Sequence, residues 1–366
     1  MLQTFICLSK YIQGDNELSR IHEHISHLGR SFFVLASKGR TADLKGIIED
    51  SFKGSDDSLV FATFGSECSK GEVARLRELV KVNQCDVIVG LGGGKVMDTA
   101  RAVAYYDKLP VVIVPTVASC DAPTSALVIY YTEDGVFEEK LVTKRNPDVV
   151  LVDTQIIANS PVRLLVAGMG DALATFFEAR TCVETCRANY GGGGATLTSY
   201  AIAKLCYQTL LADGTAAKLA VENKVVTKAL NNIIEANTLM SGIGFECNGS
   251  AAAHSLYSGF STVANFHEIF HGEWVAFGTI VLLVLENRPQ EEVDEVVRFC
   301  ISVGLPTTLK DLGLENITRD ELYKVARKAS APPEAIHKEP FVVTAEDILA
   351  SILVADAIGR SYKEKN

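Results

Sequence analysis

Between Phe32 and Val152, short runs of β-branched and aliphatic residues alternate with amphipathic segments, and beyond Pro161 that alternation stops. The runs read FFVLA, LVFATF, DVIVGLG and VVIVPT, and the segments between them include SKGEVARLRELVKV and KVMDTARAVAYY. Strands apolar on every residue need cover on both faces, and a parallel sheet with crossover helices supplies it. Ser69 followed by Glu72 has the spacing of a capping box and marks one helix start. From Ser125 to Val142 the period falls to two around Glu133-Asp134-Gly135, which predicts a hairpin leaving the sheet.

After Pro161 the spacing of apolar residues becomes 3.6, as in RLLVAGMGDALATFFEAR, ATLTSYAIAKLCYQTLL, VVTKALNNIIEANTLM, GEWVAFGTIVLLVLEN and DILASILVADAIGRSY. The 366 residues exceed what one core usually serves. Two domains are therefore expected: residues 1–160 as an α/β nucleotide-binding domain with a mostly parallel sheet, and residues 161–366 as an all-helical domain. The run Gly191 to Gly194 reads as a flexible connector.

Hydrophobic residues make up 48% and charged residues 22%, the profile of a globular chain. A net charge of -10, with no basic block longer than a pair, argues against nucleic acid and against an anionic membrane surface as partners. The longest apolar run, Val275 to Leu285, is too short to cross a bilayer, and MLQTFICLSK carries no signal-type stretch, so a cytoplasmic protein is expected. Nine cysteines in unpaired spacings read as reduced core thiols. Cys182 and Cys186 lie one turn apart without a second pair to complete a zinc set.

Two constellations carry chemistry. Gly92-Gly93-Gly94-Lys95 stands between the strand DVIVGL and the helix VMDTARAVA, where bare backbone N–H groups, a helix N-terminus and an ammonium make an anion cradle; a tight connection is its plainer reading. Asp171, His254 and His271 form a set of one carboxylate and two imidazoles, which suits zinc or ferrous iron and leaves a coordination position open. His267, one turn before His271, is a candidate for a supporting role or an exposed turn, while His22, His24 and His27 sit in a solvated segment. From Ala229 through Asn287 there is no Lys or Arg, and none from Ser119 to Glu139 around Asp121. A phosphorylated or carboxylated substrate needs such partners, so an uncharged, hydroxyl-rich one is expected.

These residues resemble the glycerol dehydrogenases of the iron-containing alcohol dehydrogenase and dehydroquinate synthase-like superfamily. The likeness is carried by KYIQG from Lys10, GGGK, PTVASCDAPTSALVIYY from Pro115, GMGDALATFFEAR from Gly168, GFECNGSAAAHSLYSG from Gly244 and HGEWVAFG from His271. It implies zinc, with iron as the other candidate, on Asp171, His254 and His271, and a substrate hydroxyl held by Asp121. It implies a dinucleotide contacted by Gly93, Gly94, Lys95, Asp98, Thr116, Ser119, Ser125, Leu127 and Tyr131, in a cleft between the two domains. It further implies hydride transfer between a small polyol such as glycerol and NAD, and a homo-oligomer, often an octamer. Where the family carries Gly-Asp-Lys after its first strand, this chain has Ala36-Ser37-Lys38, so Ser37 replaces the ribose-binding carboxylate and NADP is expected to be accepted beside NAD. Ala264-Asn265 stands where a Pro-Asp pair is usual. The other readings of this architecture are a dehydroquinate synthase-like lyase, which needs a basic cluster, and a non-catalytic relative, which would have lost its ligands.

Overall fold

The computed structural model describes residues 2–364. Its main sheet has six strands: β1 (Lys10–Gly14), β2 (Ser31–Ala36), β3 (Ser58–Thr63), β4 (Val87–Gly92), β5 (Val111–Pro115) and, after a hairpin, β8 (Val149–Asp153). They lie in the order β1-β8-β5-β4-β2-β3, all parallel. Successive residues point to opposite faces, and both faces are apolar. Val87, Val89 and Leu91 of β4 join a core with Ile21, Ile25, Leu44 and Ile48, while Ile88 joins Val73, Leu76, Met97 and Val103 on the other side. The hairpin is β6 (Leu127–Tyr131) against β7 (Phe137–Val142), antiparallel, with Gly135 supplying the positive φ of its turn.

After Asp153 no further strand forms among the described residues, apart from one isolated bridge at Gly194. The helices Val162–Glu184 and His271–Leu285 are buried along most of their length and form the centre, with Leu197–Glu222, Ala252–Phe260 and Ala345–Lys363 packed around them. No helix among the described residues is long and apolar enough to cross a membrane.

Three local expectations change. β1 lies outside the alternation read from the sequence because it is a short edge strand with a half-exposed polar pattern. Ser69 caps its helix by accepting from the Glu72 N–H, but the Glu72 carboxylate turns to the Gly65 N–H at 2.8 Å and to Arg75 instead of closing the box. Gly191–Gly194 is no free connector. Asn189 bonds Gly191, Gly193 and Gly194 and the carbonyl of Thr4, and Thr4 in turn bonds Gly193 and Gly194, so the N-terminal segment straps this loop down.

Candidate active site

Asp171 sits in the middle of the helix Val162–Glu184 and is fully buried, a costly place for a carboxylate unless cations or donors meet it. Two close approaches bring them. A Cβ on Gly168 would lie 2.0 Å from the Ala118 carbonyl oxygen, so only glycine lets the loop after β5 come this near. A Cβ on Gly272 would lie 1.7 Å from the Ala167 carbonyl oxygen, so the start of the helix His271–Leu285 can press against Val162–Glu184. The Asp121 N–H then donates to Asp171 Oδ2 at 3.0 Å, and His271 Nε2 lies 3.1 Å from Asp171 Oδ1.

His254, on Ala252–Phe260, completes the group with its Nε2 3.5 Å from the same Oδ1. The ligand atoms of Asp171, His254 and His271 all lie within 4.8 Å of one another, and no other His/Cys/Asp/Glu group among the described residues has a geometry that could hold a metal ion. Asp171 Oδ1 is buried without a hydrogen-bond partner. A buried carboxylate oxygen that makes no well-aligned hydrogen bond and is faced by two imidazole nitrogens matches what a divalent ion needs. Burial works against ionised Asp171, yet His271 and His254 outweigh it and hold the carboxyl below its usual range. Burial likewise works against charge on His254, while Glu178 and Asp171 raise it well above its usual value. The field that holds a proton there also attracts a metal cation.

Glu178 is a residue the sequence reading missed. Its carboxylate takes His254 Nδ1 at 2.5 Å and the N–H groups of Ala251 and His254 at 2.8 and 3.0 Å, which fixes the imidazole with Nε2 toward Asp171. Its signal was available: it follows Asp171 by seven residues, two turns along the same helix face. Ser241 was missed too. It follows a wide π turn, Ala236–Met240, that interrupts a helix, and its hydroxyl donates to Asp121 Oδ2 at 3.4 Å. Asp121 stands at the N-cap position of a single 3₁₀ turn without capping it, and burial with the Asp171 carboxylate pushes its pKa well above the usual range. His267 is exposed on a turn against Phe266 and lies outside the metal group.

The glycine turn lies next door. Gly93 precedes the helix Gly94–Asp107, a Cβ on Gly94 would meet nothing within 4 Å, and the Thr116 N–H donates to the Gly92 carbonyl, which aligns the loops after β4 and β5. Ser37 follows β2 beside them at the N-cap position of the next helix, with no side-chain cap bond, and the chain changes direction across the sheet between β2 and β4. This is where ligands of open α/β sheets bind. Lys95 lies 5.7 Å over the Tyr131 ring. Asp98 is buried with both oxygens engaged, one by Arg101 and one by the Ile129 N–H at 2.9 Å. Arg101 also donates to the carbonyls of Ala122 and Ser125, while the Ser125 hydroxyl accepts from the Leu127 N–H. Ser119 and Leu127 are half-buried along the same rim. The stretch around Asp121 thus has a basic neighbour that its own sequence lacks, but that guanidinium is buried and its charge is taken up by Asp98.

Residues 9–154 match the family model for iron-containing alcohol dehydrogenases. Over 99% of both chains the sequence is 47% identical to the glycerol dehydrogenase of Thermotoga maritima and 46% identical to that of Citrobacter freundii. The fold superposes on the crystal structure of a probable glycerol dehydrogenase from Sinorhizobium meliloti with a TM-score of 0.93 at 43% identity, covering 98% of this chain and 100% of that one. Likeness of this extent places the chain in the iron-containing alcohol dehydrogenase family, among its glycerol dehydrogenases, and makes it an oxidoreductase.

Proposed function

We propose that this oxidoreductase interconverts a small uncharged vicinal diol, glycerol foremost, and the corresponding hydroxyketone, with NAD as hydride carrier and a divalent ion at Asp171, His254 and His271. The observation that carries the reading is the buried Asp171 Oδ1, which makes no well-aligned hydrogen bond and faces two imidazoles. Zinc suits the one-carboxylate, two-imidazole set, with iron the other ion that fits it. When bound, an ion held by Asp171, His254 and His271 would supply Lewis acidity toward a polyol hydroxyl, and the dinucleotide held at the glycine turn would supply the hydride acceptor. The chain's own residues supply the rest. Glu178 keeps His254 in one tautomer, and Asp121 accepts a hydrogen bond from a substrate hydroxyl and so sets which carbon faces the nicotinamide.

For the dinucleotide, the backbone of Gly93 and Gly94 with Lys95 suits the pyrophosphate, and the remaining cofactor contacts are assigned to Thr116, Ser119, Ser125, Leu127 and Tyr131. Asp98 contributes by holding Arg101 and β6 in place. Ser37 would face the adenosine ribose. Without a carboxylate there, repulsion of a 2′-phosphate is gone, so NADP should be accepted within roughly 100-fold of NAD, and Ser37→Asp should widen the preference. A wild type that rejects NADP far more strongly, with Ser37→Asp leaving the ratio unchanged, would refute the assignment. The scarcity of free cations near Asp121, Arg101 being spent on Asp98, supports an uncharged substrate.

We further assign residues 1–160 and 161–366 to two domains, with the cleft between them as the site. A homo-oligomer, an octamer by resemblance, is supported by Leu197 and Leu205 standing 89% and 49% exposed along the helix Leu197–Glu222. The absence of any disulfide among nine free cysteines supports the cytoplasm. The deciding experiment is a substrate panel of glycerol, 1,2-propanediol, ethanol and glycerol phosphate, read at the reduced-nicotinamide absorbance before and after chelation. Turnover of the uncharged diols that chelation abolishes and zinc restores is expected. A preference for the phosphate ester, or full activity without metal, would overturn the reading.

A further inference from the structure

Lys95 is the second residue of the helix Gly94–Asp107, an unfavourable place for a cation because the first-turn N–H groups already carry partial positive charge. An anion nonetheless meets it: Glu67 accepts from the ammonium through Oε1. The Glu67 side chain is only 14% exposed, and its Oε2 is buried with no hydrogen-bond partner. The surroundings hold it there. Ser69 Oγ donates to Glu133 Oε1 at 2.7 Å, Lys70 pairs with Glu138 and Glu139 at 2.8 and 2.9 Å, and the Tyr131 N–H donates to the Cys68 carbonyl. The β6–β7 hairpin is thereby bolted over residues 67–70. A Cβ on Gly135 would come within 3.5 Å of Glu67 Oε1, so the hairpin turn walls the carboxylate in on one side.

We propose that Glu67 is an internal counter-anion for Lys95 that competes with the dinucleotide's phosphates and sets how tightly the cofactor is held. The proposal rests on the assignment of Lys95 to the pyrophosphate made above. An incoming pyrophosphate meets a lysine already neutralised, and drawing it away leaves a poorly solvated carboxylate facing a second anion. Glu67 therefore weakens binding and speeds release, a useful property where the same protein must take up one redox form of the cofactor and shed the other. Its partner oxygen being unmet marks the site as something other than a surface ion pair formed for stability.

The test measures affinity on the intact protein, with NADH by fluorescence titration and ADP-ribose by calorimetry, so that turnover plays no part in the readout. Lys95→Met should weaken both ligands about 10- to 100-fold, the loss of one charge-assisted hydrogen bond. Glu67→Gln, which keeps the shape, should tighten both about 3- to 10-fold, as expected for releasing a half-exposed lysine from one ion pair. Glu67→Ala should move affinity the same way, and thermal melts would verify that both variants fold. In the Lys95→Met background the effect of Glu67→Gln should shrink to less than about 2-fold, because its target is gone. Unchanged or weaker binding by Glu67→Gln overturns the proposal, since Glu67 would then merely orient Lys95. Equal tightening in both backgrounds overturns it also, because that is general repulsion. Undiminished affinity in Lys95→Met would instead overturn the pyrophosphate assignment itself.

Discussion

Asp121 ties the loop after β5 to the helices through two groups, its backbone N–H donating to Asp171 and its carboxylate accepting from Ser241 Oγ. That carboxyl makes no capping bond, which leaves acceptor capacity beside the Ser241 contact for the substrate hydroxyl proposed above. Asp121→Ala should lower kcat/KM for glycerol about 10- to 100-fold, the loss of one strong hydrogen bond, and steady-state kinetics with melting curves would separate this from a folding defect. Unchanged kinetics on every diol would make Asp121 structural. A second buried acid, Glu339, has a different consequence. Burial and the neighbouring Glu286 push it from an ordinary 4.5 up to about 9. The folded chain thus keeps a proton that the unfolded chain releases, so the contribution to stability is greatest below about 4.5 and falls as pH climbs toward about 9. The loss is at most about 1.4 kcal/mol per pH unit. Glu339→Gln should flatten the melting temperature between pH 5 and 9 and raise it at pH 8; parallel profiles for the two proteins would contradict this.

At the scale of elements, the site depends on backbones that nearly touch. Apolar periodicity shows both Val162–Glu184 and His271–Leu285 as helices, but not that they cross at Gly170 and Gly272. The crossing decides whether Asp171 and His271 meet, and it requires residues without a Cβ. Gly272→Ala should force the helices apart, destabilise the fold by about 1–3 kcal/mol and cost metal affinity together with activity. Denaturant titration and metal content would check it, and a variant with normal metal content would show that the pair can relax around a methyl group. The same scale explains Ser69 and Glu72. The N-cap was legible from their spacing, whereas the Glu72 carboxylate is drawn off by Arg75, three residues on along the same helix, and by the Gly65 N–H in the loop just before it.

Across the whole molecule, three proposed ligands spread over a hundred residues of chain, with Asp121 attached through its backbone, make one ion a clamp on several helices and a loop. Removing it should lower the melting temperature by several degrees and make the melt depend on free zinc. A ligand present at about 100 times its Kd stabilises by about 2.7 kcal/mol. Chelation without any shift would place the metal elsewhere or nowhere. The clamp predicts cooperative loss: His254→Ala and His271→Ala should each abolish most of the zinc-dependent shift, since each removes one of only three ligands.

Much of this protein is written locally. Strand after helix after strand, the hairpin at Gly135, the switch to helical periodicity near Pro161 and the chemical types at Asp171, His254 and His271 all follow from residue patterns over short windows, where side-chain period and turn chemistry dominate. Proximity is what those windows lack. That Glu178 orients His254, that Arg101 reaches the loop of Asp121, that Glu67 faces Lys95 and that Thr4 straps the glycine loop at Gly193 and Gly194 depend on contacts between residues 21 to 190 positions apart. Such pairings form only when the core closes, because it is the packing of whole helices and strands, and not the preference of any one segment, that determines which buried polar groups find each other.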